Sequence, residues 1–576
     1  MNWKGMLPVL DWGKGYNSSF FKSDLAAGLT VGVMLIPQGM AYAMIAGLPP
    51  IYGLYASTIP LIIYALLGTS RQLAVGPVAM VSLLTATGVG ALAEGGTEAF
   101  IGLAILLAFM VGAIQFLMGA FRLGFLVNFL SHPVISGFTS AAALIIGISQ
   151  LKHLLGIPLG RSHHFHEIVG EAISRIGETN SYALGIGVVG ILVILLAKRI
   201  HKAIPAQLVA VIFGILTVVG FNLVPEGVKI VGEVPKGLPI FSVPDFSLDS
   251  LGSLTGVALA IALVSFMESI AVAKAIQAKH KDYKLSANQE LVSLGLANVV
   301  GSFFQSYAVT GGFSRTAVND QAGAKTGMAS IISALLVGLT LLFLTPLFYY
   351  LPNAILASVI MVAVFGLIDW REVLHLWKVN RRDLAMLLVT FFATLGLGIE
   401  QGVLVGVILS LVMIIFQTAY PHHAALGRVK GTDLYRNLER FDDLEDRPEL
   451  LVMRFDASLF FGNSDQFRSA LNEYADQKGE DLKAVILNFE PINNIDSSAL
   501  HVIEDILQNA KKHDINLFFS GMKGPIRDAF TKAHLLEKIG KDRIFMKIQD
   551  AVDFIDGKKF NDPTSERKGL SLQSNA

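Results

Sequence analysis

Two charged residues stand in apolar stretches of this 576-residue chain, where either type is costly unless it is paired or serves a ligand. Arg315 lies in Thr310-Gly-Gly-Phe-Ser-Arg-Thr-Ala-Val-Asn319, directly after Ser314. A guanidinium there would neutralise an anion and donate hydrogen bonds to it, or else close a structural ion pair. Glu268 lies in Val264-Ser-Phe-Met-Glu-Ser-Ile-Ala-Val-Ala273. A carboxylate in hydrocarbon tends to be protonated or paired, which suits either a proton relay or a salt bridge to Arg315. Pairing in one state and protonation in another are compatible. Gln38 and Tyr42, in a stretch broken by Pro37, are spaced i, i+4 and share one helical face. An amide and a phenol facing a cavity would line a binding site; a tyrosine there also packs simply as an aromatic.

Two helix starts must frame the site these groups would form. Leu73-Ala-Val-Gly-Pro-Val-Ala-Met-Val-Ser82 and the segment opening at Thr310 each begin with small or helix-breaking residues and then turn helical. Short, Gly/Pro-interrupted segments at equivalent places in two halves of a membrane chain point to a midplane site. Two facing helix N-termini offer free N–H groups and positive dipole ends to an anion. The same glycines would also serve close helix packing.

Composition places most of the chain in a bilayer: 53% of residues are hydrophobic and 16% charged, with a mean hydropathy of +0.57. The formal net charge is zero, so electrostatics favour no particular partner and no nucleic acid. No cysteine is present, which excludes disulfides and thiolate metal sites. Charges are sparse from Asp24 to about Gln150 and dense after Gly427, marking a membrane part and a soluble tail. The N-terminus lacks the apolar core and cleavage site of a secretory signal.

Fourteen apolar spans are expected. The first seven are near 24–45, 50–68, 73–92, 98–121, 124–149, 181–198 and 203–224; the second seven are near 251–278, 286–305, 309–325, 327–350, 352–370, 382–398 and 400–419. With the N-terminus inside, Arg71, Arg122, Arg199, Lys274, Lys325 and Arg371 all fall in cytoplasmic loops, as the positive-inside rule requires. An even count puts both termini in the cytoplasm, and seven plus seven invites an inverted repeat. His163, His164 and His166 fall in an external loop; a solvated loop is preferred there to a metal site.

After Gly427 short strands alternate with amphipathic helices: strands at 449–455, 483–489 and 516–520, helices at 467–475, 497–512 and 525–533. That alternation implies a small α/β domain. It contains no phosphate-loop glycine motif, metal cluster or catalytic triad, so no enzyme is expected. Asp496 or Ser497 caps the helix at 497, and Ser497 or Ser498 would be a place for phosphorylation at that helix start, although plain capping is the simpler role.

Ile36-Pro-Gln-Gly-Met-Ala-Tyr-Ala43, Leu48-Pro-Pro-Ile-Tyr-Gly-Leu-Tyr55, Gly68-Thr-Ser-Arg-Gln72 and Gly76-Pro77, followed by Ser131-His-Pro-Val-Ile-Ser-Gly-Phe138, Asn288-Gln-Glu290, the Gly295–Gly301 stretch and Ser314-Arg315, occur in a specific order. On these stretches the chain resembles the sulfate permease (SulP) family of anion transporters over nearly its whole length. The tail resembles a STAS domain, including the Ile495-Asp-Ser-Ser498 turn where related antagonist proteins are phosphorylated on serine. The resemblance implies an all-α membrane protein of fourteen transmembrane helices, a seven-plus-seven inverted repeat with core and gate domains, plus a C-terminal α/β STAS domain. It also implies elevator-like movement of the core, an anion held between the third and tenth helices, and homodimers. By position, Gln38, Tyr42, Val78, Ser314 and Arg315 would bind substrate; Val78 replaces the phenylalanine of several animal members. Glu268 matches the acidic position of members thought to couple transport to protons.

The expected organisation is a cytoplasmic segment at 1–23, a transport domain at 24–420 with repeats at about 24–224 and 251–420, a linker at 421–434, a STAS domain at 435–557 and a flexible tail at 558–576. The expected function is import of a small anion, sulfate first, by proton symport across the plasma or inner membrane. Protons are the coupling ion, no other cofactor is expected, and a soluble regulator is the natural partner of the STAS domain. A bicarbonate or dicarboxylate transporter or exchanger is the alternative, followed by an uncoupled anion channel; a nucleobase permease would lack the tail.

Overall fold

The computed structural model describes residues 7–125, 131–158, 165–200, 205–280 and 282–558. His163 and His164, the side chain of His166, and 559–576 of the expected tail lie outside the described residues. The chain divides into Met1–Leu411 and Val412–Ala576.

Each of the fourteen apolar stretches carries a helix, and among the described residues seven helices are long and apolar enough to cross a membrane. Side chains such as Leu196, Leu216, Leu335 and Phe343 stand exposed on these helices, as lipid-facing residues do. The first long helix, Ser18–Ile45, starts where Asn17 accepts a hydrogen bond from the Phe20 N–H at 3.0 Å, and it carries Pro37 inside it. It packs along Met328–Leu339, while Glu98–Ala120 packs along Ala287–Ser302. The second pair meets glycine to glycine: a Cβ on Gly295 would lie 2.5 Å from the Phe116 nitrogen.

The two stretches expected to open on helix-breaking residues are indeed broken, and the breaks pair with each other. Val75–Gly76 and Thr310–Gly311 form a two-stranded antiparallel pair, Val75 opposite Gly311 and Gly76 opposite Thr310. Each strand runs at once into a short helix, Ala79–Gly90 and Phe313–Gln321. One piece of extended backbone therefore starts both half-helices side by side.

Buried carboxylates fix the turn before the first strand and the turn after the second half-helix. Glu290 accepts from the Tyr64 hydroxyl at 2.6 Å, the Thr69 N–H at 2.7 Å and hydroxyl at 2.5 Å, and the Ser70 N–H at 3.2 Å. Asp24 accepts from the Lys325 and Thr326 N–H groups and from the Thr326 hydroxyl. A carboxylate this fully bonded is a structural clamp. A further amphipathic helix, Trp370–Val379, occupies a stretch read from its charges as loop; Asp369 caps it, accepting from Glu372 N–H at 3.0 Å.

The second unit is a sheet in the order Tyr435–Asn437, His423–Val429, Leu450–Phe455, Ala484–Asn488, Asn516–Ser520, Ile544–Phe545, its last four strands parallel. Alternate side chains feed two cores. One gathers Leu451, Met453, Phe455 and Phe519 under the helices Ser464–Lys478, Ser497–Lys512 and Gly524–Lys532; the other gathers Val452, Ile486 and Phe518 under Ile548–Ile555. The tract 421–434, expected as a linker, instead contributes the strand His423–Val429, which pairs with both Leu450–Phe455 and Tyr435–Asn437. Its alternating burial is carried by alanines and one leucine, too weak an apolar signal to read as a strand before its partners are known.

Candidate anion-binding site

Pro77, Val78 and Gly312 stand at the starts of the two half-helices. Val78 and Gly312 are the residues that would cap them, and neither supplies a side-chain hydrogen bond. By contrast Asn17, Thr97, Ser247 and Ser286 all cap longer helices of this unit with side-chain oxygens. The half-helices thus keep their first N–H groups open.

Between them lies Arg315, 2% exposed. Its Nη1 donates to the Pro77 carbonyl at 2.7 Å, while buried Nε and Nη2 have no partner among the described residues. Two glycines make room for the guanidinium. A Cβ on Gly312 would lie 2.8 Å from Nη2 and one on Gly76 would lie 3.4 Å from the same nitrogen; Gly76 also has φ +154°, which side-chain-bearing residues rarely adopt.

Gln38 and Tyr42 are both buried on Ser18–Ile45, and the Gln38 Oε1 is likewise without a partner. Val78 is buried at the start of the first half-helix. Tyr42, Glu268 and Tyr307 all lie within electrostatic reach of Arg315. Ser314 is exposed, so it does not share the buried position of the others. Glu268 sits on the helix Leu248–Gln277, half-buried, with Oε2 buried and unbonded; no Arg315–Glu268 ion pair forms among the described residues. The fixed salt bridge, one of the two readings of Glu268, is absent here.

Several positioning groups carry no signal in the sequence. Tyr307 pairs with Ser82 through their hydroxyls at 3.0 Å. Thr310 donates to the Ser265 carbonyl at 2.6 Å, so its only proton is used and the Ser269 hydroxyl donates to Thr310 at 2.6 Å. Ser269 in turn accepts from the Gly311 N–H at 2.7 Å. Asn298 brackets Val309, accepting from its N–H at 2.8 Å and donating to its carbonyl at 3.1 Å. The helix bearing Glu268 thereby grips the strand leading to Arg315, one residue from the glutamate itself. Serines and threonines in apolar helices are common, so only the fold singles these out.

In the second unit Asp496 is the cap: Oδ1 accepts from the Ala499 N–H at 2.9 Å and Oδ2 from the Phe461 N–H at 2.8 Å. Ser497 and Ser498 are exposed beside it.

Residues 21–390 match the model of the sulfate permease family, and residues 443–551 match the STAS domain. The chain is 40% identical over 565 residues to "Sulfate transporter 4.1, chloroplastic" of Arabidopsis thaliana, covering 95% of this chain and 82% of that protein. It is 34% identical to "High affinity sulfate transporter 2" of Stylosanthes hamata, covering 95% and 86%. Murine Solute Carrier 26 family member A9, an anion transporter solved in the inward-facing state, superposes with a TM-score of 0.89 at 27% identity, over 96% of this chain and 94% of that one. The transmembrane domain of the cyanobacterial bicarbonate transporter BicA shares the fold, with a TM-score of 0.59 at 22% identity over 69% of this chain and 98% of that one. The match over 370 residues of the membrane unit, with sulfate transporters aligned over 95% of this chain, decides the matter: this multi-pass membrane protein belongs to the sulfate permease family and carries a C-terminal STAS domain.

Proposed function

We propose that the chain is a secondary active transporter that imports a small anion, sulfate first, by proton symport and an elevator-like shift of the site-bearing helices. The observation that carries this reading is the buried guanidinium of Arg315, left with two unbonded donors between two uncapped helix starts. Buried donors without partners are costly, and an oxyanion accepting from Nε, Nη2 and the helix N–H groups would satisfy them together. The names of the relatives favour sulfate over bicarbonate.

In this mechanism the anion binds Arg315 and the two half-helix starts, with Gln38, Tyr42 and Val78 forming the wall and Ser314 at the exposed edge. Glu268 takes up the coupling proton. Its negative charge in a site already holding an anion opposes movement through the apolar interior, and protonation removes that charge. The Ser269–Thr310–Gly311 bonds transmit the state of the glutamate's helix to the arginine's. Fourteen crossings with both termini cytoplasmic, residence in the cell membrane and a homodimeric assembly complete the proposal, with the STAS domain receiving a soluble regulator, through Ser497 or Ser498 where it is phosphorylated.

The test is uptake of labelled sulfate into liposomes holding the purified protein, with and without an inward proton gradient, and with bicarbonate and fumarate as competitors. Accumulation above equilibrium is expected only with the gradient. Glu268→Gln should abolish the gradient's effect while leaving sulfate exchange. Gradient-driven uptake surviving in that variant would overturn the coupling role, and flux of a competitor without sulfate would overturn the substrate.

A further inference from the structure

The STAS domain holds a cavity of about 660 Å³ outside the carboxyl ends of its parallel strands. That is where parallel α/β sheets bind ligands, and the volume is that of a small organic molecule. Its floor is one polar row. Arg454, Asn488 and Ser520 are the last or next-to-last residues of three neighbouring strands and lie directly opposite one another in register. They continue the same face as Val452, Ile486 and Phe518, so the row marks where an apolar core gives way to polar groups.

Ser520 is 1% exposed, and its hydroxyl is buried with no hydrogen-bond partner among the described residues. A hydroxyl in that position lacks what a ligand atom in the cavity would give it. Charge on the walls then says what kind of ligand. Arg436, Arg527 and Lys547 line the cavity and form no ion pair among the described residues. Of the wall carboxylates, Asp456 is held by Arg454 and His422, and Asp433 by Arg428. Only Glu490 is left without a cationic partner among the described residues, so three free cations face one free carboxylate. The remaining wall is apolar, built from Leu434, Met522, Met546 and Ile548. A bare inorganic ion would leave that wall uncovered.

We propose that this cavity binds a small organic ester of a tetrahedral oxyanion, a phosphate or sulfate monoester. The charged head meets Arg527, Lys547 and Ser520, and the organic body lies against the methionines and Ile548. The assignment is independent of the membrane site, since every residue it uses lies within Val412–Ala576.

The full-length protein, purified in detergent, is titrated calorimetrically with phenyl phosphate, phenyl sulfate, inorganic phosphate, inorganic sulfate and phenol. The expected result is one site per chain for at least one ester, which also tells the two heads apart, with phenol and, in the Arg315→Ala background that disables the membrane site, the inorganic ions at least about tenfold weaker. Lys547→Gln, at an exposed side chain, and Arg527→Gln should each weaken the ester by about fivefold to tenfold, and Ser520→Val by less. Arg315→Ala should leave ester binding unchanged, which separates this site from the membrane one. The proposal falls if neither ester binds, if both Gln variants bind as the parent does, if inorganic sulfate binds the Arg315→Ala protein as well as the esters do, or if Arg315→Ala removes the ester binding.

Discussion

At the scale of the residue, one arginine sets the geometry of the candidate membrane site. Arg315 holds a backbone carbonyl with one nitrogen and keeps two others free, a division that a point-charge ammonium does not reproduce. Gly312 is what lets it lie there. Gly312→Ala should therefore push the guanidinium off its position and raise the apparent KM for sulfate by about tenfold or more, at unchanged protein level in the liposomes. Arg315→Lys should do at least as much. Initial rates against sulfate concentration check both; an unchanged KM in either variant would remove the guanidinium from the site. Arg315 and Glu268 were legible as charges in apolar stretches. Their lack of contact, and the glycine cradle, were not, because neither is a property of local sequence.

At the scale of the element, the half-helices and the first STAS strand teach opposite lessons. The breaks at Gly76-Pro77 and Gly311-Gly312 were readable because glycine and proline punctuate a helix wherever they fall. That the two breaks pair as strands was not readable, since pairing across more than 230 residues is set by tertiary contact. His423–Val429 failed for a related reason: its edge is satisfied only by Leu450–Phe455 on one side and Tyr435–Asn437 on the other. This yields a sharp expectation for domain fragments. A fragment of 421–558 should fold cooperatively, whereas 435–558 exposes the edge of Leu450–Phe455 and should melt at least about 5 °C lower or self-associate. Circular dichroism melts and size-exclusion profiles decide it, and equal behaviour of the two fragments would show the first strand to be dispensable.

At the scale of the whole molecule, the apolar residues gather into separate cores in the two units. Calorimetry of the full chain should show two transitions. Phe530→Ala, which removes a fully buried ring touching Phe489 and Phe519, should lower only the STAS transition, by a loss of about 3–5 kcal/mol. The same transition should respond to acid. A hydrogen bond from Arg447 holds the Asp556 carboxyl below the usual carboxylate range, and Glu449 is also held low, by its own backbone N–H and then by Arg447. A depressed carboxylate stabilises the fold above its unfolded pKa of about 4, and that contribution is lost as pH falls through the lower folded value. The gap in melting temperature between parent and Arg447→Met should accordingly be full near pH 6 and shrink below pH 4. A gap that stays constant down to pH 3 would argue that the arginine acts by packing alone.

The sequence by itself determined the membrane class, the positions of the apolar helices though not of the amphipathic Trp370–Val379, the α/β character of the tail and the residues worth suspecting, because hydropathy, helix punctuation and charge in apolar surroundings are local and additive along the chain. Only the tertiary structure decided that Gly76 and Thr310 are neighbours, that Ser269 grips Gly311 beside Glu268, and that Arg454, Asn488 and Ser520 form one row. Those juxtapositions depend on which distant backbone satisfies which buried donor. That is settled by the packing of the whole chain and leaves no mark on any single stretch of it.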